Sequence, residues 1–430
     1  MITPFAGMNE PTEFSVFTAH ESNVRSYCRS FPAVFARAKG PFLYTAAGLE
    51  YIDFFAGAGT LNYGHNPDPI KQRLMAYLAD DGISHGLDFY TAAKRDFIEA
   101  FSTHVLVPRA LNYKLQFCGP TGANAVEAAL KLARRVTGRQ GVFSFMGAYH
   151  GLSLGSLAVT ANRGMRAAAG TGLHDVSFMP YPDGRMSGVD SLAYIEYVLG
   201  DSHSGSDLPA AIIVETIQAE GGIQVAPSDW LVGLRALCDR HGIVLICDDI
   251  QVGCYRSGPF FSFERAGITP DIVVLSKSIS GYGLPMSLVL LKPELDVWQP
   301  GEHTGTFRGN QLAFVGGMAA LEMAVALGLE AEVGRKAHLF DAFFAQRLRP
   351  LDERLSLRGV GMIWGVDGGG VDVGLAQRVS ARCFELGLVI ETAGRQASVL
   401  KFLPPLTTTD EVLERGFAIV ERALKDCLHG

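Results

Sequence analysis

Two residues in this chain have the types and settings that catalysis at an amine needs. Lys277 follows the apolar run Asp271-Ile-Val-Val-Leu-Ser276 and opens the turn Lys277-Ser-Ile-Ser-Gly-Tyr-Gly283. Asp248 follows a second apolar run, Ile243-Val-Leu-Ile-Cys247, and leads into Asp249-Ile-Gln251. A lysine amine condenses with an aldehyde, and an aspartate keeps a pyridine nitrogen protonated. Placed together at the carboxyl ends of two strands, they are the pair that pyridoxal phosphate (PLP) chemistry requires. Either one alone is ordinary. An aspartate after a strand is most often a cap, and a lysine there is usually solvated.

Further segments offer the remaining contacts such a cofactor needs. Cys118-Gly-Pro-Thr-Gly-Ala-Asn124 reads as a tight turn from strand to helix, whose N–H groups and helix dipole suit an anion. The phosphate would sit at Thr121, Gly122 and Ala123. Tyr149-His150-Gly151 follows another apolar run, so Tyr149 is placed to stack on a flat ring with His150 beside it. Glu215-Thr-Ile-Gln-Ala-Glu220 supplies two acids that could hold a cation or a network. Gln251 could donate to the phenolic oxygen of the ring. The Gly-rich loop Gly301-Glu-His-Thr-Gly-Thr-Phe-Arg-Gly-Asn310 makes Thr306 a second phosphate donor. Each of these has a plainer reading as a capped turn, a half-buried tyrosine, surface carboxylates or a helix entry. Their order along the chain is more specific than any one of them.

The elements that must position these residues are legible as alternation. Candidate strands cover 114–118, 142–146, 211–216, 243–247, 271–276 and 286–291, several of them near-continuous apolar runs, as strands covered on both faces should be. Helical patterns such as 123–135 and 230–240 lie between them. Strand-helix alternation implies a doubly wound, parallel α/β sheet, which binds ligands beyond the carboxyl ends of its strands. From about residue 316 a long helical stretch leads to short strands near 355–366 and 386–391, which reads as a smaller α+β lobe. The expected division is 1–62 as an N-terminal segment of the small domain, 63–315 as the large cofactor-binding domain and 316–430 as the small C-terminal domain.

Composition narrows the classes. The chain has 430 residues, 48% of them hydrophobic and 19% charged, with a formal net charge of −7, which does not suit a nucleic-acid or membrane-surface binder. The low charged fraction is what subunit-covered surface, or a large well-buried monomer, would show. No apolar run is long enough to span a membrane. Met1-Ile-Thr-Pro-Phe-Ala-Gly-Met8 lacks the basic-then-apolar pattern of a secretory signal. The seven cysteines are scattered, with no Cys-x-x-Cys and no clustered histidines, so free thiols in the cytoplasm and no metal site are expected. No strand is followed by Gly-x-Gly-x-x-Gly, which disfavours a nicotinamide enzyme.

Taken in order, the motifs resemble the class III PLP-dependent aminotransferases, the ornithine or 4-aminobutyrate type, a fold type I family. The resemblance covers almost the full length. It narrows toward the diaminobutyrate-forming, ectoine-pathway subgroup on four stretches: Ser22-Asn-Val-Arg-Ser-Tyr-Cys-Arg-Ser-Phe-Pro32, Phe54-Phe-Ala-Gly-Ala-Gly-Thr-Leu-Asn-Tyr-Gly-His-Asn66, Phe117-Cys-Gly-Pro-Thr-Gly-Ala-Asn-Ala-Val-Glu127 and Ser276-Lys-Ser-Ile-Ser-Gly-Tyr-Gly-Leu-Pro285. That resemblance implies PLP as cofactor and amino transfer from L-glutamate to L-aspartate 4-semialdehyde, giving L-2,4-diaminobutyrate and 2-oxoglutarate. It implies Lys277 as the Schiff-base lysine and proton carrier, and Asp248 as the ring-nitrogen partner. Gln251 would contact the phenolic oxygen, Tyr149 would stack, and Thr121, Gly122 and Ala123 would hold the phosphate. Thr306 would reach the phosphate of a neighbouring subunit, which requires a homodimer or higher oligomer with shared sites.

Two positions depart from the wider family. Where many members have an arginine before Phe-x-Pro-Pro, this chain has Lys401-Phe-Leu-Pro-Pro405. That arginine anchors the substrate α-carboxylate and pairs with a glutamate matching Glu220. Lysine lacks its planar fork. Either Lys401 does a weaker version of the job, or another cation such as Arg308 takes it. Asn124 stands where many members have glutamate. The residues also suit another ω-aminotransferase, acting on ornithine, lysine or 4-aminobutyrate. Less well, they suit an aminomutase or decarboxylase of the same fold, or a PLP-free scaffold relative.

Overall fold

The computed structural model describes residues 12–429. The reading of Met1 to Met8 therefore lies outside the described residues. In chain order the strands are β1 (Phe35–Lys39), β2 (Phe42–Thr45), β3 (Glu50–Asp53), β4 (Lys114–Phe117), β5 (Val142–Phe145), β6 (Val176–Met179), β7 (Ala211–Val214), β8 (Ile217–Gln218) and β9 (Gln224–Val225). They continue as β10 (Val244–Asp248), β11 (Ile272–Leu275), β12 (Leu288–Leu291), β13 (Ser356–Val360), β14 (Ile363–Asp367), β15 (Leu388–Val389), β16 (Glu391–Ala393) and β17 (Val399–Phe402).

A seven-stranded sheet in the order β4-β12-β11-β10-β7-β5-β6 forms the centre of the molecule. Every residue of β5, β7, β10, β11 and β12 is buried, because helices cover both faces. The helix Gly122–Thr137 lays Ala125, Val126, Ala129 and Ala133 against one face, and Gly138 ends it in a left-handed conformation. The sheet is mainly parallel rather than wholly so. β12 runs antiparallel to both β11 and β4. The connection 276–287 holds only a 3₁₀ turn, and a parallel return would need a crossover, usually helical. The edge strand β6 was not among the sequence-derived candidates.

The two ends of the chain build the smaller part together. β1, β2 and β3 are antiparallel, and β15 adds to β3 in parallel, pairing Leu388 with Ile52. A second antiparallel sheet runs β13-β14-β17-β16. The long helical stretch divides into Gln311–Ala326 and Leu329–Phe343, broken at Gly328, whose φ is 54°. Among the described residues no single helix is long and apolar enough to cross a membrane.

Candidate active site

The carboxyl edge of the large sheet surrounds a cavity of about 270 Å³. Thr121, Gly122, Ala123, Tyr149, His150, Glu215, Glu220, Asp248, Gln251 and Lys277 all line it. Most sit where a strand stops, because strand ends point functional groups into one crevice while the apolar strand bodies stay covered. Asp248 is the last residue of β10, rather than the first after it.

Lys277 opens the 3₁₀ turn after β11 with φ of 52°, a conformation costly for a side-chain-bearing residue. Close packing holds it there. A Cβ on Gly281 would lie 2.3 Å from Ala320 Cβ, and one on Gly316 would lie 2.6 Å from the Ser280 carbonyl oxygen. The turn therefore rests directly on the backbone of the helix Gln311–Ala326. From the other side, Ser278 Oγ donates to the Gly59 carbonyl at 2.7 Å. Burial lowers the Lys277 amine pKa, against the opposing pull of Glu220, which makes the neutral nucleophilic form easier to reach than on an exposed lysine.

Asp248 is held by two donors. His150 Nδ1 lies 2.6 Å from Oδ2, and the Ile250 N–H donates to Oδ1 at 3.1 Å. Burial disfavours the charged imidazole of His150, yet the hydrogen bond and charge of Asp248 outweigh it and raise its pKa. Glu215 accepts from the Tyr149 N–H at 3.0 Å, and burial pushes its carboxyl up to about 7, with His150 opposing. Asp249 takes no part in the cavity wall. It accepts the Ser262 N–H at 2.9 Å, and burial pushes its carboxyl up to about 7.

The anion turn is capped from within. The Thr121 N–H and Oγ1 both donate to Asn124 Oδ1, at 3.2 and 3.0 Å. Asn124 thus does at the third helical position what a glutamate does in a capping box, which explains why that departure is tolerated. The first N–H groups of the helix, on Gly122 and Ala123, have no intrahelical partners. A Cβ on Gly122 would lie 2.8 Å from Ile250 Cδ1, so a larger residue here would push the Ile250 side chain aside.

Lys401 lies behind Glu220. It is fully buried on β17, 2.6 Å from Glu220 Oε1 and 2.8 Å from Glu391 Oε1. Glu220 lines the cavity and Lys401 does not, so a substrate reaches the ammonium only when Glu220 moves aside. Gln251 Nε2 also donates to Glu220 Oε1, at 3.2 Å, and to the Ala58 carbonyl at 2.8 Å. Thr306 and Arg308 do not join this cavity. Thr306 is exposed, and Arg308 donates to the His303 carbonyl at 2.9 Å and pairs with Asp88 at 3.4 Å, beside a separate cavity.

Two residues in this region were missed by sequence reasoning. Glu391 ends the apolar stretch Leu388-Val-Ile390, and a charge in so apolar a strand is itself a signal that a buried partner exists. Tyr27 falls inside a recognised motif but received no role. Its ring lies 5.0 Å from that of Phe55, and burial, then Glu391 and Glu220, push its phenol up to about 12.

PLP fits what these residues offer. His150 Nε2 and Gln251 Oε1 are buried atoms at the cavity that lack a hydrogen-bond partner within the chain, whereas the Gln251 Nε2 donors expected to meet the phenolic oxygen are taken by Ala58 and Glu220. A carboxylate, an amine of lowered pKa, unpaired helix N–H groups and an aromatic ring converge on one space. The bound cofactor supplies the electron sink for a carbanion next to nitrogen.

The aminotransferase class-III family model matches residues 25–424. A diaminobutyrate–2-oxoglutarate transaminase of Bordetella parapertussis is 53% identical over 418 residues, covering 97% of this chain and 96% of that protein. The protein of the same name from Streptomyces avermitilis is 52% identical over 417 residues, covering 96% of this chain and 98% of that one. Among solved structures, ornithine aminotransferase from Toxoplasma gondii superposes with a TM-score of 0.83 at 24% identity, over 98% of this chain and 96% of that one. At that identity the likeness speaks for the fold, which is the α/β architecture of fold type I. With the family match running from residue 25 to residue 424 across every element that builds the cavity, the chain belongs to the class III aminotransferases and is a PLP-dependent transaminase.

Proposed function

We propose that the protein transfers an amino group from L-glutamate to L-aspartate 4-semialdehyde, giving L-2,4-diaminobutyrate and 2-oxoglutarate. The observation that carries this reading is the identity above one half, over nearly the whole chain, to proteins named for that reaction. The site accords with it. One substrate presents a carboxylate on its reacting carbon and the other does not, so one cation must be available in one half and covered in the other. Lys401 behind Glu220 has that form.

Within this reading the N–H groups of Gly122 and Ala123, with Thr121, would hold the phosphate. Asp248, oriented by His150, would keep the ring nitrogen protonated. Tyr149 would stack on the ring, and Gln251 would lie beside its phenolic oxygen. The Lys277 amine would be the group that takes the substrate α-proton and gives it back, as base and then acid. Glu220 leaves Lys401 when glutamate enters and returns when the semialdehyde does.

We further propose that the protein acts in the cytoplasm as a homodimer with shared sites, and that its product serves ectoine, siderophore or peptide-antibiotic formation. The dimer reading is supported by apolar side chains standing in solvent around the Thr306 loop. Phe307 is 71% exposed, with Phe89 at 65% and Tyr90 fully exposed on a nearby segment. Thr306 on that loop would complete the partner's phosphate site.

The test is the absorbance of the holoenzyme on adding L-2,4-diaminobutyrate, with ornithine, lysine and 4-aminobutyrate in parallel. The visible band of the lysine-bound cofactor should convert to that of its amine form fastest with diaminobutyrate. Faster conversion by another amine would move the substrate and leave the enzyme class intact.

A further inference from the structure

The two carboxylates that meet Lys401 have different settings. Glu220 lies in the turn after β8, faces the cavity and keeps 31% of its side chain exposed. Glu391 opens β16, directly opposite Lys401 in the antiparallel register with β17, and only 9% of its side chain is exposed. One acid is free to leave the ammonium, and the other is fixed to it by a sheet. Two acids on one cation also leave a net negative charge behind the substrate.

We propose that Glu391 is a specificity-determining residue, a fixed second carboxylate that stays on Lys401 when Glu220 leaves and tilts the site toward amines over dicarboxylates. The inference rests on the reading of Lys401 and Glu220 given under Proposed function. Glu391 supplies a constraint that a lysine needs and an arginine does not, because an ammonium on a flexible stem has no fork of its own to orient it.

The same charge discriminates between substrates. An amine whose reacting carbon bears no carboxylate leaves Glu220 in place and meets the whole negative cluster, which attracts its cationic groups. A dicarboxylate must bind against Glu391 and a displaced Glu220 together. The other charged and titratable groups facing the cluster are Lys277, Tyr27 and Tyr149. Burial pushes the Glu391 carboxyl up to about 7, with Lys401 opposing, so its charge is present at the alkaline side of neutrality.

The experiment uses the PLP-loaded enzyme and the variants Glu391→Gln and Glu391→Leu, at a pH of about 8, above the raised carboxyl value. Calorimetry gives the Kd of 2-oxoglutarate, which does not react with the aldehyde form of the cofactor. Cofactor absorbance gives the apparent Kd of L-2,4-diaminobutyrate. Both variants should bind 2-oxoglutarate more tightly and diaminobutyrate more weakly, changing the ratio of the two constants by about tenfold. An unchanged ratio, or shifts of both ligands in one direction, would overturn the proposal, since mere loosening of the sheet weakens both. Either variant alone decides if the other does not fold. A wild-type enzyme that ignores diaminobutyrate would instead sink the substrate reading. The 2-oxoglutarate arm then decides on its own, with tighter binding supporting the role of Glu391 and unchanged or weaker binding ending it.

Discussion

The carboxyl edge of the large sheet and the strand β17 bring charge to one site in opposite ways. On the large sheet the two carboxylates of the cavity each have their own fixed partners. Asp248 ends β10 and is gripped by His150 and by the Ile250 N–H, and Glu215 accepts the Tyr149 N–H. On β17 a single cation is shared by two acids, Glu220 and Glu391, one of which faces open space. The difference teaches what each region is for. A cofactor needs the same geometry through both halves of a transamination, whereas the substrate end must present two different charge patterns. Dedicated pairs give constancy, and shared partners give exchange.

Removing a fixed partner should therefore damage chemistry most. Lys277→Ala takes away both the covalent anchor and the proton carrier, and kcat should fall by more than about 10⁴-fold, at the upper end of what a general base contributes. Single-turnover kinetics with glutamate would show it, and near-normal turnover would remove Lys277 from its role. Asp248→Ala should lower kcat by about 10²- to 10³-fold, the range seen when one electrostatic stabiliser is lost, while cofactor is retained weakly. His150 should titrate lower in that variant, because the hydrogen bond and charge that raise it are gone. An unaltered rate or an unaltered His150 titration would break the pairing.

The shared cluster should show its weight in stability. Lys401→Ala leaves Glu391 buried and Glu220 facing it without their cation. The midpoint of denaturant unfolding should fall by the equivalent of about 3–5 kcal/mol, the usual cost of breaking a buried ion pair from one side. Lys401→Arg should lose far less. Equal stability of the alanine variant would mean that the cluster holds nothing together.

The contrast also explains what could be read from sequence. At the large sheet, function follows structure within a few residues: an apolar run, then the group that works. Lys277, Asp248, Tyr149 and Glu215 were all reached in that way, and each lines the cavity. The direction of β12 was open to the same reasoning, since the connection 276–287 lacks a helix to carry a parallel return. β6 escaped because Val-Ser-Phe-Met is short and interrupted by a polar residue. Glu391 escaped for a different reason. Its meaning lies in the register of β16 on β17, which no local pattern encodes. Tyr27 likewise depends on the N-terminal segment lying across Phe55 and the small domain.

The finest test of the comparison uses two buried acids whose carboxyls are both pushed up to about 7, Asp249 at the large sheet and Glu391 at the small one. A carboxyl raised by burial keeps its proton in the folded state at pH values where the unfolded chain has released it. Stability therefore falls as pH rises, from near the ordinary carboxyl value up to about 7, by up to about 1.4 kcal/mol per pH unit for each group. Above that window the two should differ in size. Asp249 has Ser262 as its partner but no cation, so Asp249→Asn, whose amide can still meet both Ser262 groups, should raise stability above pH 7 and flatten the slope below it. Lys401 opposes the rise at Glu391 without cancelling it, so Glu391→Gln should flatten the same window and gain less above it, because the carboxyl climbs to about 7 from 4.5 rather than from 3.8. Unfolding midpoints across that range for the two variants check both statements. An equal or larger gain at Glu391 would mean that a dedicated partner and a shared one are not different kinds of support.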